Sequence, residues 1–159
     1  MQHRGRLNII PFLFDYPFSQ MFHKMSGKRD IPANIEAIDD VISHISTSNK
    51  KLFYSKGNIN DYEEIVVTMV HNPSHLEAVC PVSMGKSLAK IDDYDGKSEL
   101  VLNIHIHGDA ALAGQGVNYE MMNLNKTPGG DIGGSIHIVS NNQIGYTTDP
   151  LLSRSTPYW

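Results

Sequence analysis

The feature that most constrains the fold is a pair of apolar, β-branched segments separated by a glycine-rich turn and a helical pattern. Residues 100–106 (LVLNIHI) and 135–140 (SIHIVS) have the composition of strands. The glycine-rich turn spans 108–116 and the predicted helix 117–125, a crossover of roughly 25 residues that suits parallel strands. This order predicts a right-handed βαβ unit. The expected fold class is therefore α/β, with a parallel sheet flanked by helices.

A further apolar run lies upstream of this unit and precedes a helix-start pattern. Residues 65–70 (IVVTMV) predict another strand. Pro73 is typical of a helix start, and Ser74 and Glu77 have the spacing of a capping box. We therefore expect a helix over 74–90 that begins directly after the strand.

The N-terminal part of the chain carries weaker helical patterns. Short helices are predicted at 6–14 and 18–26, interrupted by Pro11 and Pro17. Apolar residues near helical spacing indicate another helix at 36–47.

The division of the chain follows from these patterns. Residues 49–64 are polar and are expected to form a loop. We expect residues 1–159 to be part of one domain, in which 65–159 form the α/β core. Residues 1–64 are expected to be mainly helical and loop segments.

Composition excludes several classes of partner. The net charge of -4 argues against a nucleic-acid or anionic-membrane surface. No apolar run approaches the roughly 20 residues that a membrane-spanning helix needs. Cys80 is the single cysteine and cannot form an intrachain disulfide, so a reducing compartment is expected.

Oxygen-bearing side chains follow two of the predicted strands. Asp109 comes soon after 100–106, and Asn142 soon after 135–140. Ligands of parallel sheets bind beyond the carboxyl ends of the strands, and Mg²⁺ prefers carboxylate, amide and carbonyl oxygens. Asp and Asn at strand ends are also common as turn formers or helix caps. Spacing alone leaves both interpretations open.

Several blocks of sequence, in order, resemble the E1 components of 2-oxoglutarate and 2-oxoadipate dehydrogenases, thiamine-diphosphate enzymes of the transketolase-like superfamily. The blocks are HRGRLN (3–8), DVISHISTS (40–48), NPSHLEAVCPVSMGK (72–86), HGDAALAGQGVNYE (107–120), IHIVSNNQIGYTTDP (136–150) and RSTPY (154–158). The resemblance implies a partial thiamine-diphosphate-binding fold. It also implies that the chain is a fragment, because the family continues past the last block.

The resemblance also implies a cofactor site. Asp109, Asn142 and the main-chain carbonyl of Ile144 would hold Mg²⁺, and the metal would hold the diphosphate of thiamine diphosphate. Arg4 would assist, since a guanidinium binds phosphate in a bidentate manner. His107 would line the cofactor pocket.

Substrate-side residues follow from the same resemblance. His3 and His44 would bind the 2-oxoacid and act in catalysis, and Ser48 lies in the segment facing the substrate. Taken alone, His44 reads as a residue on a helix surface. Val66 stands where 2-oxoglutarate-specific relatives often carry histidine, and residues 16–48 are closer to the 2-oxoadipate branch. The choice between the two substrates stays open.

The other histidines of the predicted α/β core have weaker signals. His105 and His107 alternate on one face of a strand and could ligate zinc, but no convincing third and fourth ligand accompany them. We therefore do not expect zinc. His105 and His137 are expected to be packed or hydrogen-bonded strand residues, and His75 part of the helix start.

The implied reaction is oxidative decarboxylation of a 2-oxo dicarboxylic acid, with transfer of the acyl group to the lipoyl group of an E2 acyltransferase. The implied assembly is a homodimer within a complex that also contains E3. The expected location is the mitochondrial matrix in a eukaryote or the cytoplasm in a bacterium, and the chain shows no targeting segment.

Two alternatives accompany this interpretation. A truncated noncatalytic copy would bind Mg-diphosphate at most, and the fragment by itself is expected to be inactive. A transketolase is disfavoured by Gly-Asp-Ala at 108–110, where transketolases carry Gly-Asp-Gly.

Overall fold

The structure, a computed structural model, describes most of the chain. The described residues are 3–28, 32–36, 44–54, 61–72 and 74–153, with side chains from residue 6 onward. The chain forms two compact units, an N-terminal unit (His3–Ser74) and a C-terminal unit made mainly of His75–Trp159. No described helix combines the length and the apolar composition needed to cross a bilayer.

The N-terminal unit contains two helices and one antiparallel strand pair. Its elements are α1 (His3–Phe14), α2 (Phe18–Met25), β1 (Thr47–Tyr54) and β2 (Tyr62–Met69). The structure confirms both predicted N-terminal helices and the predicted strand at 65–70, although their ends differ from the predicted ones. β1 was not predicted. Residues 37–43, most of the helix predicted at 36–47, lie outside the described residues.

Pro11 lies inside α1, so the prediction that it interrupts the helix is wrong. Ile10 and Phe14 are buried, with 0% and 6% of their surface exposed. Their spacing of four residues puts both on one helix face. We attribute the continuity of α1 to this burial, which outweighs the loss of one backbone hydrogen bond.

The loop predicted at 49–64 is also wrong, because much of it forms β1 and the start of β2. The strands pair antiparallel, with Thr47 opposite Met69 and Tyr54 opposite Tyr62. Most of the pair is exposed, so its polar composition reflects solvent contact rather than irregular backbone.

Buried Arg6 ties α1 to the segments that flank the strands. Its Nη2 donates to the carbonyl of Ile45, just before β1, and to that of Val70, just after β2, the latter at 3.0 Å. Burial lowers the Arg6 pKa to about 10, which still leaves the guanidinium charged at neutral pH. The positive charge is therefore satisfied in part by main-chain carbonyls.

The C-terminal unit contains the predicted βαβ arrangement. Its elements are α3 (Val79–Asp93), β3 (Asn103–Gly108), α4 (Asp109–Gly114), α5 (Gly116–Asn123) and β4 (Ser135–Ser140). β3 and β4 pair in parallel, in a register that runs from Asn103 opposite Ser135 to Gly108 opposite Ser140. The prediction of a parallel sheet with helices is confirmed.

The helix predicted at 74–90 is confirmed over most of its length, but its start and its cap are wrong. α3 begins only at Val79, and no side chain caps it. The capping box does not form, since Ser74 Oγ lies 3.2 Å from His44 Nε2 and the Glu77 carboxylate binds His107.

The turn predicted at 108–116 contains α4. Its Ala110, Ala111 and Leu112 have high helix propensity, which explains why this glycine-flanked segment winds into a helix.

Asn103 joins three elements of the C-terminal unit. It is 3% exposed. Its Nδ2 donates to Ser83 Oγ at 2.9 Å and Ser87 Oγ at 2.8 Å, both on α3. Its Oδ1 accepts from Ser135 Oγ of β4 at 3.2 Å. One buried amide therefore connects α3, β3 and β4.

Replacing this amide should destabilise the protein. We expect Asn103→Ala to lower the free energy of unfolding by about 1–3 kcal/mol, because the buried hydroxyl of Ser87 and the half-buried hydroxyls of Ser83 and Ser135 lose their partner. Urea unfolding of the full-length protein measures the change. Asn125→Ala, at an exposed position, is the matched control and should change stability by less than about 0.5 kcal/mol. Equal effects of the two substitutions would contradict the assigned role of Asn103.

Candidate functional site

The carboxyl edge of the parallel strand pair carries the oxygen-bearing side chains. Asp109 follows Gly108, the last residue of β3, and is 7% exposed. Asn141 follows Ser140, which pairs with Gly108. Asp109 and the Asn141–Asn142 pair therefore leave adjacent strands at the same end of the sheet.

The asparagines fold the chain into tight turns beyond β4. Asn141 Oδ1 accepts from the Gln143 N–H at 3.1 Å, and Asn142 Oδ1 accepts from the Ile144 N–H at 3.1 Å. Gln143 has a φ of 61°, in the left-handed region. An amide oxygen has two lone pairs, so Asn142 can accept this bond and still offer a ligand to a cation.

A chain of hydrogen-bonded polar groups, in which Glu77 and His107 are buried, crosses the same sheet behind this edge. His107 Nδ1 lies 2.6 Å from Glu77 Oε2, and His107 Nε2 lies 2.8 Å from His137 Nδ1. The His107 and Glu77 side chains are 0% and 4% exposed. An ionised carboxylate only accepts, so His107 Nδ1 carries a proton; in the neutral ring Nε2 then accepts from His137.

Electrostatics support this arrangement of protons. Burial opposes ionisation of Glu77, but the hydrogen bond and charge of His107 outweigh it and hold the carboxyl pKa below its ordinary value. Cys80 Sγ donates to the same Oε2 at 3.4 Å. Burial, followed by the Glu77 charge, raises the pKa of the Cys80 thiol to about 12. The carboxylate is therefore ionised and the thiol protonated at neutral pH.

His105 lies beside this chain without sharing its hydrogen bonds. It is 3% exposed, and its ring centroid lies 4.9 Å from that of His137 and 5.8 Å from that of His107. In the described part of the chain, neither of its ring nitrogens has a hydrogen-bond partner. Burial, with the neighbouring histidine charges, lowers the pKa of His105 to about 4. The ring is neutral at neutral pH.

Sequence reasoning missed Glu77 and Cys80 as partners of the histidines. The sequence separates Glu77 from His107 by 30 residues, so no local spacing connects them. Glu77 has a φ of 74°, a backbone conformation that is unfavourable for a side chain of this size. The local turn redirects its carboxylate from the helix start toward His107.

The predicted substrate-side residues, and Arg4, which is predicted to bind the diphosphate, lie in the N-terminal unit. His3 and Arg4 are in the first turn of α1, but their side chains lie outside the described part. His44 is half-buried, and its carbonyl lies 3.0 Å from His71 Nδ1. Ser48 is exposed on β1, opposite Thr68.

Comparison with known sequences identifies the family. Residues 1–159 match the sequence profile of the family described as "Dehydrogenase E1 component". The chain belongs to this family. The match extends over both units of this dehydrogenase E1 chain.

Curated relatives of the E1 chain are much longer than it is. A Dictyostelium discoideum protein named "Probable 2-oxoadipate dehydrogenase complex component E1 homolog" is 44% identical over 160 residues, which cover 99% of this chain and 17% of that protein. The "2-oxoadipate dehydrogenase complex component E1" of Homo sapiens is 40% identical over 168 residues, covering 99% and 18%. The "2-oxoglutarate dehydrogenase E1 component" of Brucella anthropi is 39% identical over 168 residues, covering 99% and 16%.

Neutralising Glu77 should weaken this chain of polar groups. We expect Glu77→Gln to lower the free energy of unfolding of the metal-free protein by about 1–3 kcal/mol at neutral pH, because a charge-assisted hydrogen bond is lost. The folded pKa of Glu77 lies below its ordinary 4.5. Its stabilisation is therefore complete above that pH and declines as pH falls through the folded pKa.

Urea unfolding as a function of pH measures this difference. The wild-type and Glu77→Gln curves should converge in acid, and a difference that stays constant there would contradict the assignment of an ionised Glu77. Glu120→Gln, at an exposed position on α5, is the matched control and should follow the wild type at every pH.

Proposed function

We propose that the full-length protein containing this chain is a thiamine-diphosphate- and Mg²⁺-dependent 2-oxoacid dehydrogenase E1 subunit. Its reaction would be oxidative decarboxylation of a 2-oxo dicarboxylic acid, 2-oxoglutarate or 2-oxoadipate. The observation that carries the proposal is the parallel register of β3 and β4, with Asp109 and Asn142 following adjacent strand ends. The family match over the whole chain supports interpreting this geometry as a cofactor site.

The donor set at the strand ends fits Mg²⁺. Asp109 would supply a carboxylate oxygen, Asn142 its amide oxygen and Ile144 its main-chain carbonyl, which are the hard ligands that Mg²⁺ prefers. The remaining positions would go to diphosphate oxygens and water. Arg4 would bind the diphosphate and His107 would line the cofactor pocket. When bound, thiamine diphosphate supplies the electron sink for decarboxylation.

The substrate would be held by polar groups of the N-terminal unit. His3 and His44 would donate to the carboxylate or move a proton, and Ser48 would contribute a hydroxyl. His44 already faces a hydroxyl, since its Nε2 lies 3.2 Å from Ser74 Oγ. The ring can therefore exchange this hydroxyl for a substrate carboxylate without losing a hydrogen bond.

The names of the relatives suggest the assembly. They are components of 2-oxoadipate or 2-oxoglutarate dehydrogenases. We infer a homodimer that passes the acyl group to a lipoyl-bearing E2 acyltransferase in a complex with E3. Its location would be the mitochondrial matrix in a eukaryote or the cytoplasm in a bacterium.

A thermal-shift measurement tests the cofactor site. At about a hundred times Kd, bound ligand stabilises a protein by about 2.7 kcal/mol, which raises Tm. We expect magnesium plus thiamine diphosphate to produce this shift in the full-length protein. Asp109→Ala should abolish the shift, whereas Asp92→Ala, an exposed residue on α3, should keep it. An unchanged shift in Asp109→Ala would refute the assignment.

A decarboxylation assay with 2-oxoglutarate and 2-oxoadipate in parallel tests the substrate class. We expect turnover of at least one of them, and His44→Ala should lower kcat/KM by roughly a hundredfold because proton transfer or substrate binding is impaired. His23→Ala, at an exposed position on α2, is the matched histidine control. Turnover of neither acid by a folded, cofactor-binding protein would favour the noncatalytic alternative.

A further inference from the structure

We propose that Cys80, His105 and His107 form a zinc-binding site, separate from the magnesium site at the strand ends. One ligand atom from each of these residues lies within 4.8 Å of the other two. All three residues are buried. The proposal concerns metal binding alone and does not depend on the decarboxylation activity.

The fold brings the three ligands together from two elements. His105 and His107 are two residues apart on β3, so both point to the face that packs against α3. Cys80 is the second residue of α3. The buried face of β3 is polar, whereas Ile104, on its opposite face, is 50% exposed.

His105 provides an independent indication of a missing ligand. Both of its ring nitrogens are buried and lack a hydrogen-bond partner among the described residues. An unsatisfied buried polar group is costly, and natural cores rarely retain one without a water or an ion. A metal bound to one nitrogen would relieve part of that cost.

The chemistry of the ligands selects zinc. A thiolate with two imidazoles suits Zn²⁺, whereas Mg²⁺ and Ca²⁺ require oxygen ligands. Glu77 accepts from His107 Nδ1 at 2.6 Å, an arrangement in which a carboxylate orients a metal-binding histidine through its other nitrogen. His107 Nε2 would then face the metal in place of His137, leaving a fourth position for water or for His137 Nδ1.

Binding would involve one proton and a modest side-chain movement. The Cys80 thiol would release its proton to solvent as the sulfur binds Zn²⁺, so apparent affinity should rise with pH. Zinc–sulfur and zinc–nitrogen bonds of about 2.3 Å and 2.0–2.1 Å require the ligand atoms to approach each other more closely than 4.8 Å. Rotation of the three side chains supplies this approach.

Zinc titration of the full-length protein, stripped by a chelator and monitored with a competing chromophoric chelator, tests the site. We expect one equivalent to bind. Cys80→Ser and His105→Leu should each abolish that binding, and Glu77→Gln should weaken it about 10- to 100-fold. His75→Gln, an exposed histidine of the same unit, should bind zinc like the wild type.

Two further measurements keep the outcome decisive. Co²⁺ in the wild type should give a thiolate-to-cobalt charge-transfer band that Cys80→Ser lacks. His105→Leu removes a buried imidazole that lacks partners, so without zinc it should unfold at the same urea concentration as the wild type or a higher one. Absence of zinc binding by the wild type, or zinc binding by Cys80→Ser and His105→Leu that equals that of the wild type, would overturn the proposal.

Discussion

The parallel pairing of β3 with β4 is the constraint on which the C-terminal unit depends. Its register places Gly108 beside Ser140, so both strands end together and the residues that follow, Asp109 and Asn141, leave from one edge. A slip of one residue would turn every side chain of a strand to the other face. It would separate the side chains of Asp109 and Asn141 and break the contact between His107 and His137.

The face of β3 that packs on α3 carries polar side chains instead of a purely apolar core. Asn103 binds two serines at one end of the strand, and His107 binds Glu77 at the other. Hydrogen bonds between such groups are strong in the low-dielectric interior. A buried polar group without a hydrogen-bond partner destabilises the folded state. His105 lies between them, and both of its ring nitrogens lack a hydrogen-bond partner among the described residues.

Local sequence signals predicted elements whose stabilising contacts are close in sequence or repeat with a clear period. The β-branched runs predicted β3 and β4. The number of residues between the two runs predicted a crossover that joins parallel strands. The polarity of residues 49–64 led to a wrong prediction of a loop, because polar side chains suit an exposed strand pair as well as a loop. Ser74 and Glu77 had capping spacing, yet a buried charged hydrogen bond to His107 competes better than an exposed cap.

The sequence by itself determined the family, the βαβ order and the two strand ends that carry Asp109 and Asn142. It did so because period and composition are local, and because ordered blocks of residues are specific. Only the tertiary structure decided which groups meet Cys80, His105 and His107 in the interior. These contacts join residues on separate elements, and their geometry follows from the register of the strands and the packing of α3, which no local pattern records.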